Sequence, residues 1–381
     1  MTLPYILGDT GPHITTWQAW FTRAYRSYAP PTTGTYTASD ATATTELQRR
    51  LGLPQTGDFD YPTAKAAGYT LPKHLALVFR GTGGIIGEDY VSRVCQAVAD
   101  LVDERNPAWA ATMGGIPVGT AGNHNDPSMQ RAVAAALDAG ITEFQRYRAG
   151  NPNIRVVIGG YSAGAIVAAK LRQWMLANHP DNYLCSFSIG DPSRPVGGAY
   201  HGGTPTPGRG ISSWRYGDIH DPRHCWLAHP ADMYTAVPDN ATGDILQAGY
   251  DGITNTEFSN PVAAAQALAA MVLSIMDQSG IPLPALAKAA IAGPAALTGF
   301  ILPVLISAIS GLAAAITGQT GDTPGTAAGI NAGIIALRFL AANPPTGPHI
   351  TYEHTEVWPG QTYIGLAIQH VRDWASRYPP T

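Results

Sequence analysis

Apolar runs alternate with helix-patterned stretches from residue 73 onward. The run LALVF at residues 75–79 leads into the glycine-rich turn RGTGG, and the apolar positions of residues 88–102 share one helical face. The same pattern predicts strands at residues 154–160 and 183–190 and helices at residues 127–149 and 163–177. This alternation predicts an α/β fold with a mostly parallel central sheet covered by helices on both faces.

The pentapeptide Gly160-Tyr161-Ser162-Ala163-Gly164 lies between a predicted strand and the helix that follows it. A G-x-S-x-G sequence in that context is typical of a nucleophile elbow, a sharp turn that exposes a serine hydroxyl at the end of a strand. Glycines two positions before and after the serine let the backbone bend without Cβ clashes. The pattern predicts Ser162 as a nucleophile. The alternative is an ordinary strand-to-helix turn with a serine near the N-cap.

A nucleophilic serine needs an acid and a base, which follow it in the order serine, acid, histidine in this fold. Asp232, in CWLAHPADMYTAV, is preferred as the acid because a short apolar strand delivers it to the carboxyl edge of the sheet. Asp191, in SIGDPSRP, is the alternative, although an aspartate turn before a proline also explains it. His349 is the preferred base because it lies in a loop-like stretch before the helix predicted at residues 361–377, and His354 is the alternative.

Backbone N–H groups near the serine are the candidates for an oxyanion hole. The N–H of Ala163 follows the nucleophile directly, where an elbow orients it. The second donor is expected from the loop after the first strand, where Thr82 offers both an N–H and a hydroxyl. The alternative is that this loop is a generic strand-to-helix connection.

Composition and charge narrow the classes of function. Charged residues make up 13% of the 381 residues, and the net charge of −4 comes without a basic run, which argues against nucleic acid as a partner. The three cysteines lie far apart and form no CxxC pair or Cys/His cluster, so neither a metal site nor a disulfide framework is predicted, and at most one pair could bridge. The first residues lack the charged and apolar regions of a secretory signal peptide.

Residues 1–70 differ in composition and are expected to form a small separate module. They contain two helical patches, at residues 14–28 and 42–51. The second patch opens the segment LQRRLGLPQTGDFDYPTAKAAGY, which resembles the peptidoglycan-binding repeat family in its Leu-Gln helix, Gly-Leu turn and Thr-Gly-Asp-Phe-Asp run. The resemblance implies binding to peptidoglycan, and the alternative is a helical cap on the main domain.

Residues 255–343 form an insertion rich in Ala, Gly, Pro and Leu, and residues 289–321 carry no charge. The length could span a bilayer. A transmembrane span is not favoured, because two prolines interrupt the uncharged stretch and no run of Lys or Arg residues flanks it. His349 is also expected after the insertion, on the same side as Ser162. A helical insertion packed on the core, or an apolar lid for a long acyl chain formed around residues 281–317, is expected instead.

The combination of FRGTGG, GGYSAGA, CWLAHPADMYTAV and PHITY resembles the cutinase-like branch of the α/β-hydrolases, and in particular the lysin B enzymes of mycobacteriophages. The resemblance covers most of residues 74–381 and carries the family's nucleophile, acid and base onto Ser162, Asp232 and His349. It implies an esterase without metal or cofactor that cleaves mycolic acids from arabinogalactan. The scattered cysteines and the long insertion depart from the cutinase pattern.

The resemblance also implies where the protein acts, and the composition of its segments predicts how the chain divides. It would be made in the host cytoplasm and act at the host cell envelope after release. The expected division is a module at residues 1–70, a catalytic domain at residues 71–254 and 344–381, and an insertion at residues 255–343. Two other classes remain open: a lipase, peptidase or acyltransferase that uses the same residues on another substrate, and a non-catalytic envelope-binding virion protein.

Overall fold

The predicted alternation of strands and helices forms a parallel five-stranded sheet with helices on both faces. The structure is a computed structural model that describes residues 3–70, 73–199, 206–257, 324–340, 342–378 and 380. The strands are β1 (His74–Phe79), β2 (Val102–Arg105), β3 (Val156–Tyr161), β4 (Tyr183–Ile189) and β5 (His224–Leu227). Their order is β2-β1-β3-β4-β5, and every neighbouring pair is parallel. The predicted α/β fold class is confirmed.

Side chains alternate between the two faces of the sheet because successive residues of a strand point to opposite sides. Leu75, Leu77 and Phe79 join one apolar core, and Ala76 and Val78 join the other. Helices α5 (Met129–Gly150) and α6 (Ala163–Asn178) cover the first face, and α4 (Tyr90–Ala97) and the C-terminal helix (Tyr363–Arg377) cover the second. The central strands are therefore buried on both sides, as their continuous apolar runs predict.

Residues 3–70 have an apolar core of their own. The helices are α1 (Pro12–Ala24), α2 (Ala38–Leu51) and α3 (Tyr61–Ala67), with a 3₁₀ turn at Arg26–Tyr28. The buried residues of this core all lie between Tyr5 and Tyr69. The division of the chain at residue 70 stays a prediction that this separate core favours.

The described part of the insertion contributes to the main core. Helix α7 (Ala241–Thr254) precedes it, and α8 (Pro324–Leu340) packs against α7 and buries Phe339 beside Tyr234. The lid or membrane span considered for residues 281–317 lies outside the described residues. Among the helices of the described part, none combines the length and the apolarity that crossing a bilayer requires.

The secondary structure differs in three places from that predicted by the sequence. The helix predicted over residues 88–102 ends at Ala97, and the chain then forms the edge strand β2. A short helix, α9 (Gly347–Ile350), carries His349 where a loop was expected. The C-terminal helix α10 begins at Tyr363, since the two residues before it form β7 (Gln361–Thr362), which pairs with β6 (Glu356–Trp358).

Candidate active site

Ser162 occupies a strained turn between β3 and α6. Its φ of 55° and ψ of −126° place a residue with a Cβ in a region that favours glycine. A Cβ at Gly160 would lie 2.5 Å from Cα of Ala165, and one at Gly164 would collide with the carbonyl oxygen of Phe79. The two glycines are thus required by close backbone approach, and the turn has the form of a nucleophile elbow.

The structure brings Ser162, His349 and Asp232 into one hydrogen-bonded chain. Nε2 of His349 lies 2.9 Å from Oγ of Ser162, and Nδ1 of His349 lies 2.8 Å from Oδ2 of Asp232. These contacts join residues 187 and 117 positions apart. The imidazole can therefore accept the serine proton through one nitrogen while the other donates to a carboxylate.

Two tyrosines hold the imidazole of His349 in place. The ring of Tyr161 stacks on it at a centroid distance of 5.2 Å and an interplanar angle of 27°, and the Tyr161 hydroxyl donates to the His349 carbonyl oxygen at 2.8 Å. The ring of Tyr234 meets it edge-on at 4.7 Å. His349 is only 7% exposed, so its ring has little freedom to turn away from Ser162.

Asp232 is completely buried and accepts three hydrogen bonds. Besides the contact with His349, it accepts from the Tyr352 hydroxyl at 2.7 Å and from the Tyr234 N–H at 3.0 Å. Burial, and then the charge of Asp232, raise the pKa of Tyr352 well above its usual value, so its hydroxyl keeps the proton that it donates. These bonds support a carboxylate that water does not reach.

Sequence reasoning missed Tyr352. It lies in the PHITY segment three residues after His349, on the short stretch of chain that leaves α9. Its hydroxyl also accepts the N–H of His229 at 3.1 Å, which ties the chain before Asp232 to the chain after His349. Its position so close to the proposed base was the one sequence signal that pointed to Tyr352. The spacing could not show that its hydroxyl bonds to Asp232.

The alternative acid and base have partners other than Ser162 and His349. Asp191 is buried and accepts from the N–H and hydroxyl of Ser193 at 2.7 and 2.6 Å, and burial raises its pKa. Both ring nitrogens of His349 are engaged by Ser162 and Asp232 instead. The side chain of His354 is 80% exposed and lies 3.9 Å from Glu353.

Thr82 lines one wall of the cavity above Ser162, together with Ala163 and His349. Its Oγ1 is buried, and no described residue bonds to it. A Cβ at Gly81 would lie 2.7 Å from the ring of Tyr161, which shows how closely this loop approaches the elbow. An unpaired buried hydroxyl beside a serine is suited to stabilise a developing oxyanion.

The cavity beside Ser162 has a volume of about 140 Å³. Its apolar walls include Met113, Val118, Met129, Tyr234 and Tyr250. An engineered apolar cavity of about 150 Å³ binds benzene, so this cavity has room for a short acyl group next to the serine.

Metal-ligating side chains do not converge in the described residues, where no group of three or more His, Cys, Asp or Glu could hold an ion. The three cysteines, Cys95, Cys185 and Cys225, are buried free thiols. Burial raises the pKa of each, so these thiols stay protonated.

Solved structures similar to this chain include the following three. Lysin B from Mycobacteriophage D29 is 14% identical with a TM-score of 0.39, covering 80% of this chain and 100% of that one. A cutinase-like protein from Cryptococcus sp. is 20% identical with a TM-score of 0.35, covering 44% and 80%. The catalytic core of acetyl xylan esterase from Trichoderma reesei is 16% identical with a TM-score of 0.34, covering 49% and 97%.

No protein-family model matches the chain, and no curated protein matches it significantly. At TM-scores this low, none of the three likenesses establishes a family or an activity for the chain.

Proposed function

We propose that the chain is a serine esterase with Ser162 as nucleophile, His349 as base and Asp232 as the acid that orients the base. The observation that carries the proposal is the 2.9 Å contact between His349 Nε2 and Ser162 Oγ, made in a turn where the serine backbone is strained. Strain of about 1–3 kcal/mol persists only where the surrounding structure enforces it, and such sites are commonly functional.

The proposed reaction passes through an acyl-enzyme. His349 takes the proton of Ser162 while the serine oxygen bonds to the ester carbonyl carbon. The carbonyl oxygen becomes an oxyanion that the N–H of Ala163 and the N–H and hydroxyl of Thr82 stabilise. The bond to the alcohol oxygen then breaks, and that oxygen receives the proton from His349. Water repeats the sequence on the acyl-enzyme, which releases the carboxylic acid and returns the proton to Ser162.

Hydrolysis of p-nitrophenyl butyrate tests the activity. The variant Ser162→Ala keeps a Cβ, so its fold and thermal stability should match the wild type while turnover is lost. The control is Ser213→Ala, because Ser213 is exposed. Turnover by Ser162→Ala at the wild-type rate would contradict the proposal.

The finer substrate proposal is the ester between mycolic acids and arabinogalactan, cleaved at the mycobacterial envelope. It rests on the resemblance of four sequence motifs to the lysin B enzymes, and the apolar cavity supports an acyl substrate in general. A long chain would extend beyond the described walls. Incubation with mycolyl-arabinogalactan should release free mycolic acids, detected by chromatography. Hydrolysis of short acyl esters without mycolate release would favour a general cutinase- or lipase-type esterase.

Peptidoglycan is the proposed ligand of residues 1–70. Support comes from the motif at residues 47–69 and from the exposed side chains of Leu7 and Tyr61 in this part of the chain. The full chain should sediment with insoluble peptidoglycan, and Tyr61→Ala should weaken sedimentation. Trp358→Ala, an exposed aromatic on the β6–β7 hairpin, is the control. Equal sedimentation of both variants and the wild type would remove Tyr61 from the binding surface.

A further inference from the structure

The loop after β1 that carries Thr82 is tied down on both sides of this residue. The N–H of Gly83 donates to the carbonyl of Ala111 at 2.8 Å, and the N–H of Thr120 donates to the carbonyl of Gly83 at 2.9 Å. On the other side, Nε of Arg80 donates to the carbonyl of Gly84 at 2.7 Å. Such bonds hold Thr82 against the cavity without using its own hydroxyl.

Asp89 supplies a further tie, and it reaches the residue directly before Thr82. Its Oδ2 accepts the N–H of Gly81 at 3.1 Å, and its Oδ1 accepts the N–H of Val91 at 3.3 Å as the N-cap of α4. A Cβ at Gly84 would lie 2.5 Å from the same Oδ2, so the loop wraps closely around this carboxylate. One side chain thus connects the loop to the start of a helix.

Two tyrosines and three charged side chains surround this carboxylate. The tyrosines that face it are Tyr90 of α4 and Tyr161 of β3, and the charged groups are Arg80, Glu88 and Arg93. Burial raises the pKa of Asp89 to about 6, against the opposing effect of its backbone hydrogen bonds and of Arg80. At neutral pH the folded protein therefore keeps a charged carboxylate at a position where burial disfavours the charge. A neutral side chain such as serine can cap a helix without that cost, so the charge indicates a second role for Asp89.

We infer that Asp89 is a positioning residue of the active site, whose carboxylate fixes Gly81 so that Thr82 directs its hydroxyl and N–H toward the oxyanion. This inference rests on the proposed esterase function and adds a residue that touches neither the substrate nor Ser162. The carboxylate acts by holding the loop, since a charged acceptor binds a backbone N–H more strongly than a neutral one.

The charge of Asp89 should influence the pH dependence of catalysis. As the pH falls through about 6, Asp89 gains a proton, its bond to the Gly81 N–H weakens, and the oxyanion loses a well-placed donor. Activity should therefore be present above this pH and decline below it. The decline adds to the one caused by protonation of the base, so kcat/KM should fall more steeply than a single ionisation allows.

The variant Asp89→Ser separates the two roles of this side chain. Serine is a good N-cap, so α4 keeps its cap, but its single short hydroxyl cannot also hold the Gly81 N–H. The matched control is Asp60→Ser, which makes the same change at the N-cap of α3 in the N-terminal region. Hydrolysis of p-nitrophenyl butyrate is measured between pH 5 and 8, together with thermal unfolding.

Asp89→Ser should lower kcat about 10- to 100-fold with little change in KM, since misplacing or removing an oxyanion donor costs up to about 10²–10³ in rate. Its kcat/KM profile should show one ionisation fewer on the acid side, and Asp60→Ser should keep the wild-type kcat and profile. Wild-type kcat and profile in Asp89→Ser would overturn the inference.

If Asp89→Ser does not fold, Asp89→Asn replaces it and is expected to show the same lowered kcat and simplified profile. A wild-type profile in Asp89→Asn would contradict the inference equally. An inactive wild-type protein would instead refute the esterase proposal itself, so the two failures are distinguishable.

Discussion

The buried Gln48 of the N-terminal region and the serine site at the carboxyl edge of the sheet place their hydrogen-bond partners in different ways. Gln48 is fully buried, its Nε2 lies 2.9–3.1 Å from oxygens of Thr56, Asp58 and Thr63, and its Oε1 accepts the N–H of Gly57 at 3.0 Å. These partners lie 8 to 15 residues along the chain. The glutamine thereby closes a local turn, which gives the Leu-Gln and Thr-Gly-Asp pattern of this segment a structural explanation.

The sheet edge contrasts with that arrangement. Ser162 and Asp232 reach their common partner His349 across 187 and 117 residues, the backbone at Ser162 is strained, and the buried hydroxyl of Thr82 has no partner among the described residues. A local network whose hydrogen bonds are all made contributes to the stability of the fold. A strained backbone and a hydroxyl without a protein partner are instead typical of a site that binds a substrate. Substitutions in the two regions should therefore separate stability from catalysis.

The largest expected effect is on catalysis at Asp232. Asp232→Asn should lower kcat by about 10⁴-fold, because the amide no longer holds the imidazole in the tautomer that accepts the serine proton. Asp191→Asn, in the buried carboxyl that bonds Ser193, should change kcat far less. Steady-state hydrolysis of p-nitrophenyl butyrate measures both. A larger loss in Asp191→Asn would reverse the assignment of the acid.

Next in size is an effect on stability at Gln48. Gln48→Leu leaves the Gly57 N–H and several other groups without their partner, and each buried unsatisfied group costs about 1–3 kcal/mol. The unfolding transition of the N-terminal region should move to lower denaturant while kcat stays at the wild-type value. Gln55→Leu, an exposed glutamine on the same segment, is the control. A fall in kcat at unchanged stability would break the contrast between the regions.

The smallest effect is expected at Tyr352, a residue that should influence both stability and catalysis. Tyr352→Phe removes a hydrogen bond to Asp232, worth about 1.5–3 kcal/mol for a bond to a charged group, so stability should fall. The kcat should also fall, by less than in Asp232→Asn, because the carboxylate that orients the imidazole loses one of its hydrogen bonds. The control is Tyr363→Phe, because the ring centroid of Tyr363 lies 5.1 Å from that of Tyr352. An unchanged kcat would reduce Tyr352 to a structural role.

The central strands and the elbow could be predicted because their signals are local. Continuous apolar runs indicate β1, β3 and β4, and the glycine spacing around Ser162 follows from backbone contacts within a few residues. Strand β2 was missed because its sequence, VDER, is charged, and only its place at the sheet edge makes it a strand.

The partners of the serine could be narrowed by their order in the chain and by their place beside predicted elements. Spacing could not decide between Asp232 and Asp191 or between His349 and His354, since those contacts depend on how β5 and α9 meet at the sheet edge. Tyr352 and Asp89 act through hydrogen bonds to other protein groups, and the sequence does not indicate which groups those are.

Labelling with a fluorophosphonate tests the central claim most directly, that His349 activates the hydroxyl of Ser162. The intact wild-type protein should gain one adduct by mass spectrometry, and peptide mapping should locate it at Ser162. His349→Ala should label far more slowly at the same probe concentration. An unlabelled wild-type protein, or an adduct on another serine, would contradict the account.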